Sequence, residues 1–251
     1  MPEGRAGDAQ AAPLSPETFA RLKACSTATL TTQLFKRGLH NLFIQGACRQ
    51  TRGGGTMVGP ATTLRYIPAR EDLDTLNVFE DRSHPQRRVV EDIPPGHVLV
   101  MDARGDTRAA SAGHILLTRM HVRGAAGVVT DGSLRDLPEI SEMDWPVYAA
   151  GGAAPTNLIH HHAVDIDTPI ACGGVPVFPG DIVVGDAEGV VILPRHLADD
   201  VAHDAVAQES FEAFVLEEVR AGRSIFGLYP PDEDTKRRYE ALSGVRPKTH
   251  G

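Results

Sequence analysis

Aromatic residues are scarce, at 5% of a 251-residue chain, so Val, Leu, Ile and Ala must supply most of the core. Cysteine is scarcer still: Cys25, Cys48 and Cys172 stand far apart and form no CxxC pair. That odd, sparse count argues against a disulfide framework and fits a reducing compartment, which makes the cytoplasm the expected location. A long apolar run is also missing. Met1 to Pro13 is Gly/Ala-rich without a hydrophobic segment, so residues 1–13 read as a mobile tail, neither a signal peptide nor a membrane span. Positive charge is short, with 25 Lys and Arg against 33 Asp and Glu, a net charge of −8. A nucleic-acid binder needs a basic face to displace counterions. The short basic run Gln86-Arg87-Arg88 is diluted by Glu80, Asp81, Glu91 and Asp92. Neither nucleic acid nor membrane is therefore expected as a partner.

Hydrophobic residues nevertheless reach 41%, with 25 Gly and 18 Pro, the makeup of a folded, turn-rich domain. Ser15-Pro16 predicts a capped helix with Phe19 and Leu22 facing inward, and Ser26/Thr27 a second helix ended by Gly38. Val58 to Ile67 reads as a strand that Gly59-Pro60 would place at a sheet edge or a bulge. Within the charged segment 70–92 a helix is expected around Leu73 to Phe79. His97 to Asp102 and Gly127 to Asp131 are short apolar runs typical of buried strands. Between them lies a helical stretch, Gly113 to Arg123, with Ile115, Leu116 and Met120 on one side. Strand, helix and strand joined by short connections make a βαβ unit with parallel neighbours. A helix at Asp136 to Met143 and a strand at Pro146 to Ala150 continue the alternation. Four short strands follow between 164 and 193, and Pro194 hands over to a long helix, about His196 to Ala221, stopped by Gly222. The expected architecture is one α/β domain over residues 14–228. It is a layered sandwich with a central βαβ unit and a long C-terminal helix, followed by an arm at 229–251.

Ligands of α/β sheets gather at the carboxyl ends of the strands. Here the two strands of the βαβ unit lead to Gly113 and to Asp131-Gly132-Ser133-Leu134-Arg135-Asp136. Gly113 opens a helix whose first amides lack intrahelical acceptors and favour an anion. The amides of His114, Ile115 and Leu116 could cradle a carboxylate, or Gly113 could simply relieve a tight turn. Arg135 could grip a carboxylate with two parallel hydrogen bonds, or make a surface or subunit ion pair. Asp136-Leu137-Pro138-Glu139 fits a capping box that would account for both acids. Alternatively Asp136 binds a divalent cation, since Mg²⁺ is commonly held by one carboxylate plus waters and substrate oxygens. His160-His161-His162 cannot all share one face of a helix or strand, and is expected in a solvated or interface loop. His203 is expected on the surface and Cys172 in the core.

The stretch Gly113-His114-Ile115-Leu116 followed by Arg123-Gly124-Ala125-Ala126-Gly127-Val128-Val129-Thr130-Asp131-Gly132-Ser133-Leu134-Arg135-Asp136 resembles the signature of the RraA-like proteins. That family includes 4-hydroxy-4-methyl-2-oxoglutarate / 4-carboxy-4-hydroxy-2-oxoadipate aldolases and the regulator of ribonuclease E activity. The similarity runs from about Ser26 to Tyr229 and takes in Val58-Gly59-Pro60-Ala61, Gly173-Gly174-Val175-Pro176-Val177 and Asp186-Ala187-Glu188-Gly189-Val190-Val191. The resemblance implies a swivelling-domain type of α/β fold and a class II type, metal-dependent lyase. Such an enzyme releases pyruvate from a 4-hydroxy-2-oxo acid, with oxaloacetate decarboxylation as a side activity. It implies that Gly113, His114 and the Ile115 and Leu116 amides, with Arg135, hold the pyruvyl carboxylate. It implies that Asp136 anchors Mg²⁺ or Mn²⁺, and that a carboxylate on the C-terminal helix of a neighbouring subunit assists proton transfer. Glu212 is the choice for that group, with Glu209 and Glu217 as rivals. A homotrimer or homohexamer with sites at subunit interfaces is implied as well. The family usually has Asp after the first Gly, where it helps hold metal-bound water; this chain has His114, which changes the local charge, and whose imidazole is expected to take that catalytic place through a ring nitrogen or as a base. The competing expectation is a non-catalytic regulator that binds a ribonuclease or helicase through its acidic surface and has no use for Arg135 and Asp136.

Overall fold

The computed structural model describes residues 13–245 and 247; apart from Pro13, the expected N-terminal tail lies outside them. Helices α1 (Pro16–Ala24) and α2 (Thr27–Phe35) begin where the serines predict. The Ser15 and Ser26 side chains accept from the Thr18 and Thr29 amides, satisfying donors that a helix start leaves open. Leu22 is buried, but Phe19 is 39% exposed, against expectation. The inward stripe of α1 passes through Thr18 and Leu22, four residues apart, and Phe19 falls off it.

Strand β1 (Cys48–Arg49) is short; β2 (Met57–Pro68) is the longest strand. It is central, not an edge, and pairs in parallel with β3 (Val98–Asp102). Pro60 is tolerated because the neighbouring Ala61 amide points to Asp181 on the far side. Pro60 nitrogen then faces the flank where β3 begins only opposite Ala61, so no ladder bond is lost. No α-helix forms over Leu73 to Phe79. Residues Leu76–Glu80 make a 3₁₀ helix with no buried residue, and the helix of this segment is α3 (Pro85–Asp92), started by its proline and sunk through Gln86, Val89 and Val90.

The βαβ unit is present. Strand β3 leads through β4 (Ala110–Ala112) and α4 (His114–Val122) to β5 (Gly127–Thr130), which lies parallel to β3. On α4 Met120 is buried and Leu116 packs against the same core, as expected, together with Leu117, whereas Ile115 is 80% exposed and lies off the inward stripe. Next come β6 (Ser133–Leu134), α5 (Leu137–Ser141), β7 (Val147–Ala149), β8 (Gly151–Gly152), β9 (His161–Ile166), β10 (Ile170–Cys172), β11 (Val175–Val177), β12 (Ile182–Gly185) and β13 (Val190–Leu193). The main sheet runs β1-β7-β5-β3-β2-β12-β13, and β9 pairs with the end of β2. One apolar layer packs α3, α4 and α5 against the parallel strands, and another packs α1, α2 and the long helix α6 (Ala198–Arg220) against β12 and β13. The layered α/β sandwich and the long C-terminal helix are therefore as expected.

The histidine run is not a solvated loop. His161 and His162 belong to β9. His161 is fully buried, with Nε2 3.1 Å from the Ala109 carbonyl, while His162 Nδ1 lies 2.7 Å from Asp74. Alternate faces of a strand give adjacent residues separate partners. His203 is exposed and Cys172 buried, as expected. The arm after 228 contains a helix, α7 (Glu233–Ser243), whose Tyr239 packs with Leu228 against Phe211 and Val215 of α6. Among the described residues no helix is long and apolar enough to cross a membrane.

Candidate active site

The site is built by a second, small sheet. Strands β4, β6 and β8 follow β3, β5 and β7 of the main sheet and pair in parallel in the order β4-β6-β8. Ala112 lies opposite Leu134, and the Arg135 amide donates to the Ala112 carbonyl at 3.1 Å. That register sets Gly113 directly against Arg135 and Asp136. A Cβ on Gly113 would meet Arg135 Cγ at 2.7 Å and Asp136 Oδ2 at 2.8 Å. Its φ of −132° is open to any residue. The glycine is required by close approach, not by backbone conformation.

Asp136 does not form the capping box. It stands at the N-cap of α5, yet its side chain makes no bond to that helix. Its φ of 63° and ψ of 40° are left-handed, a conformation Asp tolerates better than most residues. Instead Oδ2 accepts from the His114 amide at 3.2 Å, so Asp136 caps α4, and Oδ1 lies 3.4 Å from Arg135 Nε. Both contacts are long, and the side chains of Arg135 and Asp136 are 48% and 38% exposed. The carboxylate keeps lone pairs for another cation.

The three amides expected to cradle a carboxylate are not equivalent. That of His114 is taken by Asp136, and that of Leu116 donates to the Gly113 carbonyl at 3.1 Å. Ile115 alone has an amide with no acceptor among the described residues, although its side chain faces solvent. Gly113, Ile115, Leu116, Arg135 and Asp136 all line one cleft of about 210 Å³, with Phe79, Gln86, Arg87, Thr156 and Asn157 on its other walls. His114 is half-buried and does not line it.

Glu212 is not brought to the cleft within one chain. It lies on α6, where Oε1 accepts from Gln208 and from the Tyr229 hydroxyl at 2.9 and 3.1 Å. Its rivals are occupied too: Glu209 accepts from the Ser26 amide and hydroxyl, and Glu217 pairs with Arg220 on the surface.

Two supporting residues escaped the sequence reading. Asp131 is 6% exposed, and its carboxylate accepts from the amides of Ala103, Gly105 and Gly173. It ties the loop after β3 to the β10–β11 turn. Its signal was an Asp ending an apolar strand just before a glycine. Gln86 is 2% exposed and donates to the Tyr66 hydroxyl and the Ser111 carbonyl at 3.1 and 2.8 Å, fastening α3 to β4 two residues before Gly113. Burial pushes the Tyr66 phenol far up, so its hydroxyl stays protonated and donates to the same carbonyl at 2.9 Å.

The profile described as "RraA-like: Aldolase/RraA" matches residues 27–192. A 4-hydroxy-4-methyl-2-oxoglutarate aldolase of Thermus thermophilus is 35% identical over 121 residues, 48% of this chain and 73% of that protein. The crystal structure of Streptomyces coelicolor RraAS2, described as an unusual member of the RNase ES inhibitor RraA protein family, covers 82% of this chain and 98% of its own at TM-score 0.71 and 30% identity. An uncharacterized protein from Pseudomonas syringae shares the fold at TM-score 0.73 and 23% identity, over 87% of this chain and all of that one.

Proposed function

The chain belongs to the RraA-like family, and from that premise we propose that it is a divalent-metal-dependent lyase that splits a 4-hydroxy-2-oxo acid into pyruvate and a carbonyl compound. The observation that carries the reading is the convergence of Gly113, Arg135 and Asp136 on one cleft. The named aldolase relative supports the same chemistry.

In this reading the pyruvyl carboxylate lies against the free Ile115 amide and the Arg135 guanidinium. Loss of the 4-hydroxyl proton lets the C3–C4 bond break. The new carbonyl forms at C4, and the bond's electron pair moves to C2–C3 as the pyruvate enolate. Arg135 stands where negative charge grows, and a fixed cation there lowers the barrier. Protonation of C3 completes pyruvate. Loss of CO₂ from oxaloacetate would give the same enolate, which supports decarboxylation as a side activity.

Among the described residues Asp136 is the only carboxylate lining the cleft, and no group of three or more His, Cys, Asp and Glu forms a protein cage for an ion. One hard carboxylate with water and substrate oxygens is a donor set that Mg²⁺, or Mn²⁺, accepts. Bound there, the cation would supply Lewis-acid polarisation of the 2-oxo group. We assign the proton acceptor to Glu212 from a second copy in a trimer or hexamer, because among the described residues no carboxylate other than Asp136 lines the cleft.

The test is pyruvate release from 4-hydroxy-4-methyl-2-oxoglutarate with Mg²⁺, read by a lactate dehydrogenase couple. Wild type should produce pyruvate, chelation should stop it, and Asp136→Ala or Arg135→Ala should lower kcat/KM by roughly 10²–10³-fold. No pyruvate above background would sink the proposal. The RraA name of the Streptomyces relative favours the second reading, a regulator of a ribonuclease. That reading requires a ribonuclease to be retained equally by wild type and by Asp136→Ala in a pull-down.

A further inference from the structure

One wall of the cleft leans on a buried histidine. Phe79 and Arg87 line that wall, from the 3₁₀ turn Leu76–Glu80 and from α3. The Phe79 ring takes the Arg87 guanidinium on its face, with 4.3 Å from the guanidinium carbon to the ring centre. It also meets His84, whose ring stands at 81° to it with the centres 6.2 Å apart. We propose that His84 makes this wall a proton-operated gate: neutral His84 holds the turn against the cleft, and protonated His84 releases it. The gate rests on the lyase reading only for what the cleft holds.

His84 is 8% exposed, and its Nδ1 is covered and has no hydrogen-bond partner among the described residues. A neutral imidazole can leave Nδ1 without a proton, but an imidazolium carries N–H on both nitrogens. Protonation therefore sets a charged donor where no acceptor meets it, which is costly in a covered place. The charged and titratable groups that face the ring are Arg87 on α3 and His162 on β9, which oppose a cation there, and Asp74 and Asp81 on either side of the 3₁₀ turn, which favour one. Both carboxylates are engaged elsewhere. Asp74 lies 2.7 Å from His162 Nδ1 and accepts from the Arg70 amide at 2.8 Å, and Asp81 accepts from the Ser83 amide and hydroxyl at 2.8 and 2.7 Å. His84 is also the N-cap of α3 and makes no side-chain cap bond; the positive end of a helix disfavours a cation. Burial, the largest cause, keeps the His84 pKa below the ordinary 6.5, in agreement with the geometry.

The part that moves is lightly held. No residue of the Leu76–Glu80 turn is buried, so its displacement exposes little packed apolar surface. Helix α3 stays in place, because Gln86, Val89 and Val90 are buried. The hinge then falls at Pro85, which has no amide hydrogen to lose. Movement of the turn takes Phe79 off Arg87 and widens the cleft. The closed form binds fewer protons than the open one, because its His84 is neutral. Closure is therefore favoured in full above 6.5, and weakens as pH falls through 6.5 towards the lower value of the closed form.

Hydrogen exchange read by mass spectrometry tests this on the whole chain, without ligand or turnover. Peptides covering 75–88 are compared with peptides from β3, after correction for the intrinsic pH dependence of exchange. In wild type the protection of 75–88 should fall by roughly 3- to 10-fold from about pH 7 to about pH 5, and that of β3 by less, since one proton bound on opening shifts the equilibrium by at most about tenfold per pH unit. His84→Phe keeps a ring beside Phe79 that takes no proton, and the extra fall should vanish in it. Flat protection of 75–88 in wild type, a comparison that needs no variant to fold, overturns the proposal. So does a fall that β3 shares equally, or one that persists in His84→Phe. Pyruvate release is a separate measurement. Proton-dependent opening in a protein that forms no pyruvate upholds the gate and removes the lyase reading, whereas flat exchange in a protein that forms pyruvate does the reverse.

Discussion

Replacing Gly113 with alanine separates catalysis from stability at this site. A methyl carbon there would lie 2.7 Å from Arg135 Cγ and 2.8 Å from Asp136 Oδ2. Carbon atoms pack at about 3.5–4.0 Å, so Arg135 must retreat by about 1 Å. The backbone needs no change, since φ at Gly113 is −132°. Nor is the packed core disturbed, because both clashing side chains are more than a third exposed and can swing outward. Overpacking a closed core costs about 1–3 kcal/mol; here the cost should be at most about 1 kcal/mol, a shift of about 2–4 °C in Tm for a domain of this size. Function should suffer far more, because a misplacement of about 1 Å can cost about 10²-fold in rate. The bond from the His114 amide to Asp136 is already long at 3.2 Å and should break. The assays are pyruvate formation and thermal unfolding on the same preparation, with Gly113→Ser as a second variant that also carries a Cβ. Wild-type kcat/KM in Gly113→Ala would refute the reasoning. A large loss of Tm would show that the glycine serves packing and not the site.

Asp131→Ala should do the opposite, acting first on stability. It leaves three backbone amides without their acceptor, which should cost roughly 3 kcal/mol or more and lower Tm by roughly 6–12 °C; an unchanged melting curve would remove its tying role. Stability should also fall as pH drops from 7 towards 5. Burial holds the pKa of His161, and those of His84 and His97, below the ordinary 6.5. The unfolded chain therefore binds more protons in that window. The stability is fully present above 6.5, and is lost as pH falls through 6.5 towards the lower folded values. Denaturant titrations at pH 7, 6 and 5 should show a shallower decline in His161→Asn, and an identical slope would refute the assignment.

Long, strongly patterned elements were legible in the residues alone. The serine caps of α1 and α2, the apolar β3 and β5 with a helix between them, and the long α6 all follow from local spacing and turn chemistry. Misreadings fell where local pattern is silent. The stretch Leu73 to Phe79 is rich in weak helix formers and its 3₁₀ turn buries no residue, whereas the α-helix of the segment starts at Pro85 and sinks Gln86, Val89 and Val90 into the core. Pro60 suggested an edge, yet the free flank of its nitrogen let β2 sit in the middle of the sheet. His161 looked solvated as part of a polar run, but strand alternation sent it into the core.

The candidate site divides the same way. Sequence by itself determined which residue types were available: a glycine opening one helix, and an arginine and an aspartate 22 and 23 residues later. It also placed both stretches after parallel strands, and so at the same end of the sheet. Only the tertiary structure decided that they touch. The pairing of β4 with β6 involves strands of three and two residues, too short to leave a period in the sequence. The left-handed turn at Asp136 then frees its carboxylate from its own helix and delivers it to the preceding one, α4. Tertiary structure also decided that Arg87 and Asn157, 70 positions apart, share one wall of the cleft. Their meeting depends on how α3 and the loop before β9 pack against the sheet, and no spacing along the chain encodes a contact of that kind.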